Sequence, residues 1–289
     1  MNELTRMLAL ETTDLTGSVA LCERGNVLAV RFLNPDQRSA QSLAPAIQSI
    51  LREFSWKPSD VDVVATTVGP GSFTGLRVGV AAAKLFSWSV GARIVGVDTL
   101  DAVVDGVRRE AAISDGVPTS GFFVSAGVDA QRGDVAFRNY WVVPSGDPNV
   151  ANTFFLNERF KILPYRKWLD AEQPIIADDF DDESFPTSTF SKAQRNVWEA
   201  AKRQLRKTIF YAGPALSRVK NRETLYPNLH FADPSTWNAS AADVARVAWT
   251  RVLRESFDNP FSILPIYSRK AAAEEKALEK AAAKDALKQ

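Results

Sequence analysis

Three short β-prone runs crowd the start of this chain, and that crowding constrains its fold more than any other feature. Met7–Leu10, Ser18–Cys22 and Val27–Phe32 are the runs, joined by Asp14–Gly17 and Arg24–Gly25–Asn26. Both connectors carry hairpin turn chemistry, so three antiparallel strands in succession are expected. A helical pattern follows, with Leu43, Ile47, Ile50 and Phe54 on one face at spacings of four, three and four. Ser42 suits its N-cap, and Pro45 is tolerable in a first turn. Beyond it the chain alternates: a strand over Val61–Thr67, a helix over Leu76–Val90, a strand over Ile94–Val97 and a helix over Leu100–Ala112.

Strand, strand, strand, helix, strand, helix, strand, helix resembles the ribonuclease-H-like module of actin-like ATPases. A second hairpin pattern, Phe122–Asp129 and Gly133–Val143 around Ala130–Gln131–Arg132, begins an imperfect echo. It continues with a strand at Ile175–Ala177 and helices near Ser191–Leu205 and Ala241–Phe257. The expected fold is therefore α/β: two ribonuclease-H-like modules, each a mixed sheet flanked by helices, plus a C-terminal helix. The expected divisions are residues 1–114, 115–267 and a helical tail over 268–289, with a boundary near Ser114–Pro118. Pro144–Asn152 and the acidic stretch Asp178–Thr189 read as surface elaborations.

Composition removes several function classes. Lys plus Arg total 35 against 34 for Asp plus Glu, so a surface basic all over is excluded and only a local basic patch is left open. A single cysteine, Cys22, excludes an intramolecular disulfide and reads as a small core residue. A single histidine, His230, excludes two-histidine metal ligation, and no Ser or Cys motif beside it completes a catalytic set. The acidic stretch lacks calcium-loop spacing. The seven tryptophans are scattered, which suggests core and hinge packing. No apolar run approaches the ~20 residues that span a bilayer, and no export leader is evident, so a cytoplasmic protein without membrane contact is expected.

Gly69–Pro70–Gly71–Ser72–Phe73–Thr74–Gly75–Leu76–Arg77–Val78–Gly79 is the most distinctive segment. Lying between a strand and a helix, it could present backbone N–H groups to an anion. It lacks both the Walker Lys-Ser/Thr pair and GxGxxG spacing, so a structural turn is the stronger reading of the residues alone. In the helix that follows, Gly79, Ala82, Ala83 and Ser87 form a stripe of small side chains on a surface that is otherwise largely apolar. Such a stripe lets another helix approach closely or packs a central helix inside its own fold, and the pattern does not choose between them.

The segment Gly69–Gly79 closely resembles the signature of the TsaB (YeaZ-like) family, the partner subunits of bacterial tRNA threonylcarbamoyladenosine synthesis. Met7–Leu21, Val95–Val103, Asp129–Val135, Pro265–Arg269 and Ala273–Lys276 resemble further family segments in order. Glu11 stands where the family and its ATPase relatives usually carry Asp, and Ser39–Ala40 stand in place of a His-Ser pair.

The resemblance implies a non-catalytic scaffold that pairs with a TsaD-type catalytic subunit, joined by a TsaE-type ATPase, with tRNA held in the complex. That complex transfers a threonylcarbamoyl group to the adenosine 3′ of the anticodon in ANN-decoding tRNAs. Thr74, Leu76, Gly79, Ala82, Ala83 and Phe86 are the implied partner interface, and Glu11, Thr12 and Thr13 the positions nearest a nucleotide. No catalytic or metal-ligating residue and no intrinsic cofactor is implied; ATP or ADP would sit at the complex interface, and self-pairing of the isolated chain is left open. The rivals are an independent actin-like ATPase or kinase, for which only Glu11 is a candidate acidic residue, and a glycoprotease-type peptidase, which one histidine disfavours. In the tail, Lys276, Lys280, Lys284 and Lys288 recur every fourth residue, either as a solvated stripe or as a contact for tRNA.

Overall fold

The structure, a computed structural model, describes residues 5–14, 16–37, 39–113, 121–142, 153–155, 159–170 and 209–269. β1 (Arg6–Glu11), β2 (Ser18–Glu23) and β3 (Asn26–Phe32) form the antiparallel run. Then come α1 (Ser39–Glu53), β4 (Val63–Gly69), α2 (Phe73–Val90), β5 (Arg93–Asp98) and α3 (Thr99–Ile113). Helix α1 begins four residues before Leu43, so Ser42 lies buried inside it rather than at its N-cap and Pro45 falls in its second turn, and α2 begins three residues before Leu76. Ser72 caps α2, its Oγ accepting from Gly75 N at 3.3 Å, and Gly91 ends it in the left-handed conformation. The first sheet has the order β3-β2-β1-β4-β5, with β1, β4 and β5 parallel.

The second sheet repeats this plan. Its strands are β6 (Phe122–Asp129), β7 (Asp134–Val142), β8 (Thr153–Phe155), β9 (Lys161–Pro164), β10 (Ile209–Ala212) and β11 (His230–Phe231). The order β8-β7-β6-β10-β11 places an antiparallel hairpin beside parallel strands as in the first sheet, and β9 also pairs with β7. This is the two-sheet, ribonuclease-H-like α/β architecture that the strand order implied. Short helices α4 (Tyr165–Trp168) and α5 (Arg222–Leu225) precede α6 (Ala241–Val252). The boundary near 114–118, the elaborations over 144–152 and 178–189, the strand at 175–177, the helix over 191–205 and the tail from 270 onward lie outside the described residues.

Alternation explains the layering. Met7 and Ala9 of β1 face one core with α3 and α6, whereas Leu8 and Leu10 face another with α1 and α2. Residues of both sheets share the first of these cores, so α3 and α6 lie between them. Helix α6 follows the second sheet in sequence yet packs on β1 and β2, where Ser18 Oγ accepts from Ala241 N at 2.9 Å. Asp105 of α3 and Arg246 of α6 pair at 2.7 Å, with both side chains largely buried. Across the sheets, Arg138 of β7 reaches Asp98 at 2.9 Å, and Tyr140 Oη donates to Asp101 at 2.8 Å. Burial is the main cause pushing the Asp98 carboxyl up, the Asp101 charge adds to it, and Arg138 pulls it back.

Helix α6 stops at Val252, short of the Phe257 that the pattern indicates. Glu255 turns left-handed, and Asp258 N bonds Ile94 O at 2.9 Å while its Oδ2 accepts from Gly96 N at 2.7 Å. These contacts with β5 turn the chain out of the helix and into a strap, residues 259–267. No described helix is long and apolar enough to cross a membrane.

Candidate functional site

The β1–β2 loop lies against the start of α2. Thr12 Oγ1 donates to Gly75 O at 2.8 Å, and Ser72 N donates to Thr13 O at 3.2 Å. A Cβ on Gly75 would stand 1.8 Å from Thr12 O, and one on Gly79 would stand 2.3 Å from Thr12 Oγ1. Glycine here allows a helix and a loop to touch backbone to backbone. The distinctive glycine segment is therefore first of all a packing device, in line with the structural-turn reading.

Glu11, Thr12 and Thr13 do gather at this junction. Glu11 is wholly buried; its Oε1 accepts from Thr13 N at 2.6 Å and from the Thr13 hydroxyl. Its Oε2 has no hydrogen-bond partner among the described residues. Burial pushes the carboxyl from its ordinary 4.5 up to about 7, and the two Thr13 hydrogen bonds hold it back from going further. A phosphate at this junction would need free N–H donors. Thr13 N is bonded to Glu11, Ser72 N to Thr13 O, and Gly75 N to Ser72 Oγ. These three donors are therefore satisfied within the junction, beside a desolvated carboxyl. Among the described residues, no group of three or more His, Cys, Asp or Glu is placed to hold a metal ion.

The small stripe of α2 points inward. Leu76, Gly79 and Ala83 are buried, and Ala83 and Val80 pack into the core under the first sheet. Ser87 Oγ donates to Ala92 O at 2.7 Å and is buried too. A partner helix cannot reach these positions, so the reading of Leu76, Gly79 and Ala83 as interface residues is corrected to an internal seam. Ala82 and Phe86 are half-buried against the same core, and Thr74 is exposed. The outward face of α2 is Thr74, Arg77, Ala81, Leu85 and Trp88, again at helical spacing. Leu85 is 66% exposed and Trp88 72%. Trp88 thus departs from the core role expected of the tryptophans.

The strap enlarges this face. It runs back along α2: Lys84 Nζ donates to Phe261 O and Ile263 O, while Arg77 Nε donates to Tyr267 Oη at 3.0 Å. Phe73 packs on Tyr267 at 4.5 Å between ring centres. Phe261 and Leu264 stand outward at 78% and 68% exposure. No sequence signal marks the strap's part in this face, because residues some 180 positions away lie beside α2 only after folding. Of the other single residues, Cys22 is buried in the core, with its thiol pushed up to about 11 by burial, and His230 is exposed on β11.

The family model described as "TsaD: tRNA N6-adenosine threonylcarbamoyltransferase" matches residues 33–197, more than half of the chain. The chain is 30% identical to the tRNA threonylcarbamoyladenosine biosynthesis protein TsaB of Bacillus subtilis, over 45% of this chain and 52% of that protein. Against the protein of the same description from Escherichia coli, identity is 32%, over 50% of this chain and 57% of that protein. The chain thus spans little more than half the length of these curated relatives. Among solved structures, YeaZ from Pseudomonas aeruginosa aligns with a TM-score of 0.63 and 21% identity, covering 91% of this chain and 99% of that one. That likeness extends the fold over nearly the whole chain.

Proposed function

The chain belongs to the tRNA N6-adenosine threonylcarbamoyltransferase (TsaD) family, as a TsaB/YeaZ-type member, and on that premise we propose that it is a non-catalytic scaffold subunit in tRNA threonylcarbamoyladenosine biosynthesis. In this reading it pairs in the cytoplasm with a TsaD-type catalytic subunit, a TsaE-type ATPase joins the pair, and tRNA is bound by the assembly. In this reading ATP or ADP sits at the assembled interface; Thr13 N, Ser72 N and Gly75 N of the β1–β2 junction are bonded within the chain.

One observation supports the pairing above all: Leu85 and Trp88 of α2 stand in solvent beside a strap that also exposes Phe261 and Leu264. Large apolar side chains grouped on one rigid helix face gain most by being covered, and aromatic anchors dominate such contacts. The partner then docks on the outward face of α2, with Thr74 at one end and Ala82 and Phe86 along its edge. Trp88→Glu should abolish co-elution with the TsaD-type subunit in size-exclusion chromatography while leaving the circular dichroism spectrum unchanged, because the side chain supports nothing in the core. Co-elution undiminished in this variant would remove the α2 face from the interface.

A further inference from the structure

A second surface feature is built from residues other than those of the α2 face. A cleft of about 710 Å³ opens where the β6–β7 turn meets α4 and the segment after β10. Arg132, Arg166, Arg218 and Lys220 line it, and Asp129 is the only carboxylate in its lining among the described residues. In a chain whose charges balance to +1 overall, that is a local concentration of positive charge. Tyr165, Tyr226 and Leu225 supply apolar wall, with Leu225 62% exposed.

The cleft is held open by its own hydrogen bonds. Asp129 Oδ1 accepts from Gln131 N at 2.9 Å and from Tyr165 Oη at 3.4 Å, while its Oδ2 accepts from Arg218 Nε at 3.1 Å. Tyr165 N bonds Gly133 O at 3.1 Å, and the buried Trp168 fixes α4 by donating to Ser125 Oγ at 2.8 Å. Asp129 is thus neutralised by Arg218. Arg166 and Lys220, both exposed, have no carboxylate partner among the described residues.

We propose that this cleft binds backbone phosphates of RNA, with the tyrosine rings available to an adjoining base. Paired basic and aromatic side chains are the chemistry that holds a nucleic-acid strand. Its cations come from three separate chain segments, and Arg166 and Lys220 are exposed on long side chains. That arrangement suits several successive phosphates rather than one small ligand, which would want a buried anchor. The choice of tRNA as the RNA rests on the function proposed above.

The test is filter binding of a tRNA transcript to the full chain, alone and with its TsaD-type subunit, across a salt series. Arg166→Gln with Lys220→Gln should weaken binding roughly tenfold and lower the log–log salt slope by about 1.5, at ~0.7–0.9 for each phosphate no longer neutralised. Arg52→Gln with Arg254→Gln removes the same charge from exposed sites elsewhere and should change both quantities much less. An equal loss in the two double variants, an unchanged slope in the cleft variant, or no tRNA binding by the wild-type chain in either form would overturn the inference. So would ATP competing at the cleft while tRNA binding stays intact. Co-elution with the partner separates this from the pairing hypothesis: the cleft variant should still co-elute. A wild-type chain that binds tRNA through the cleft yet never joins the partner would sink the pairing alone.

Discussion

The β1–β2 loop and the β6–β7 turn hold the same place in the two sheets, each joining a central strand to the antiparallel strand beside it. Both are written in turn residues, yet one is sealed and the other open. Over the first lies the start of α2, close enough that Gly75 and Thr12 meet at backbone distance, and Glu11 is left without water. The second forms one wall of a charged cleft, with Gln131, Arg132 and Gly133 all at positive φ. In a repeated architecture the hairpin sets where a loop emerges, and what packs over it sets whether the loop can meet a ligand.

Replacing Gly75 would test the sealed side most severely. The added Cβ of Gly75→Ala meets the main chain of Thr12, which no rotamer change can relieve, so a loss of about 4 kcal/mol or more is expected in urea denaturation. A loss below about 1 kcal/mol, the size of an ordinary substitution, would mean that the junction is loose and its seal no explanation.

Glu11→Gln addresses the buried carboxyl with a somewhat smaller effect. Unfolded, the group ionises near 4.5; folded, near 7, because burial disfavours the charge. Between these values the folded chain holds a proton that the unfolded chain has released, so wild-type stability falls as pH rises from about 4.5 to about 7 and levels off above. Glutamine keeps an oxygen for Thr13 and cannot ionise. It should therefore stabilise the chain by up to ~3 kcal/mol at about pH 8 and hardly at all at about pH 4. A variant that tracks the wild type at both pH values would show that the carboxyl is solvated. Gly133→Ala, on the open side, should cost the least, about 1–2 kcal/mol from the left-handed backbone alone, since nothing lies within 4 Å of the added Cβ. A cost as large as that of Gly75→Ala would erase the contrast between the two loops.

Much of the fold is legible locally. Hairpin signals around Asp14–Gly17 and Arg24–Asn26, and apolar faces such as Leu43, Ile47 and Ile50, depend on neighbours within a few residues. Those elements stand where the pattern indicates. Helix ends are less legible: the α6 pattern runs on to Phe257, while Asp258 is drawn onto β5 by contacts absent from the local sequence. The candidate site is legible in part. Glu11, Thr12 and Thr13 do meet the glycine segment, but the small stripe expected at an interface faces the core.

By itself, then, the sequence determined which residues share a face of each element, how the strands and helices of the first sheet alternate, and that one histidine and one cysteine exclude two-histidine and multi-cysteine metal sets within one chain. A period of 3.6 groups Gly79 with Ala83 and Leu85 with Trp88 without saying which pair faces the sheet. Tertiary structure decided that: Gly79 lies against the Thr12 hydroxyl and Ala83 in the core, while the large pair is left to solvent. It likewise brought Arg218 to Asp129 across 89 residues and laid the strap along α2 across about 180. Contacts over such separations depend on where whole sheets come to lie, and no local propensity encodes that.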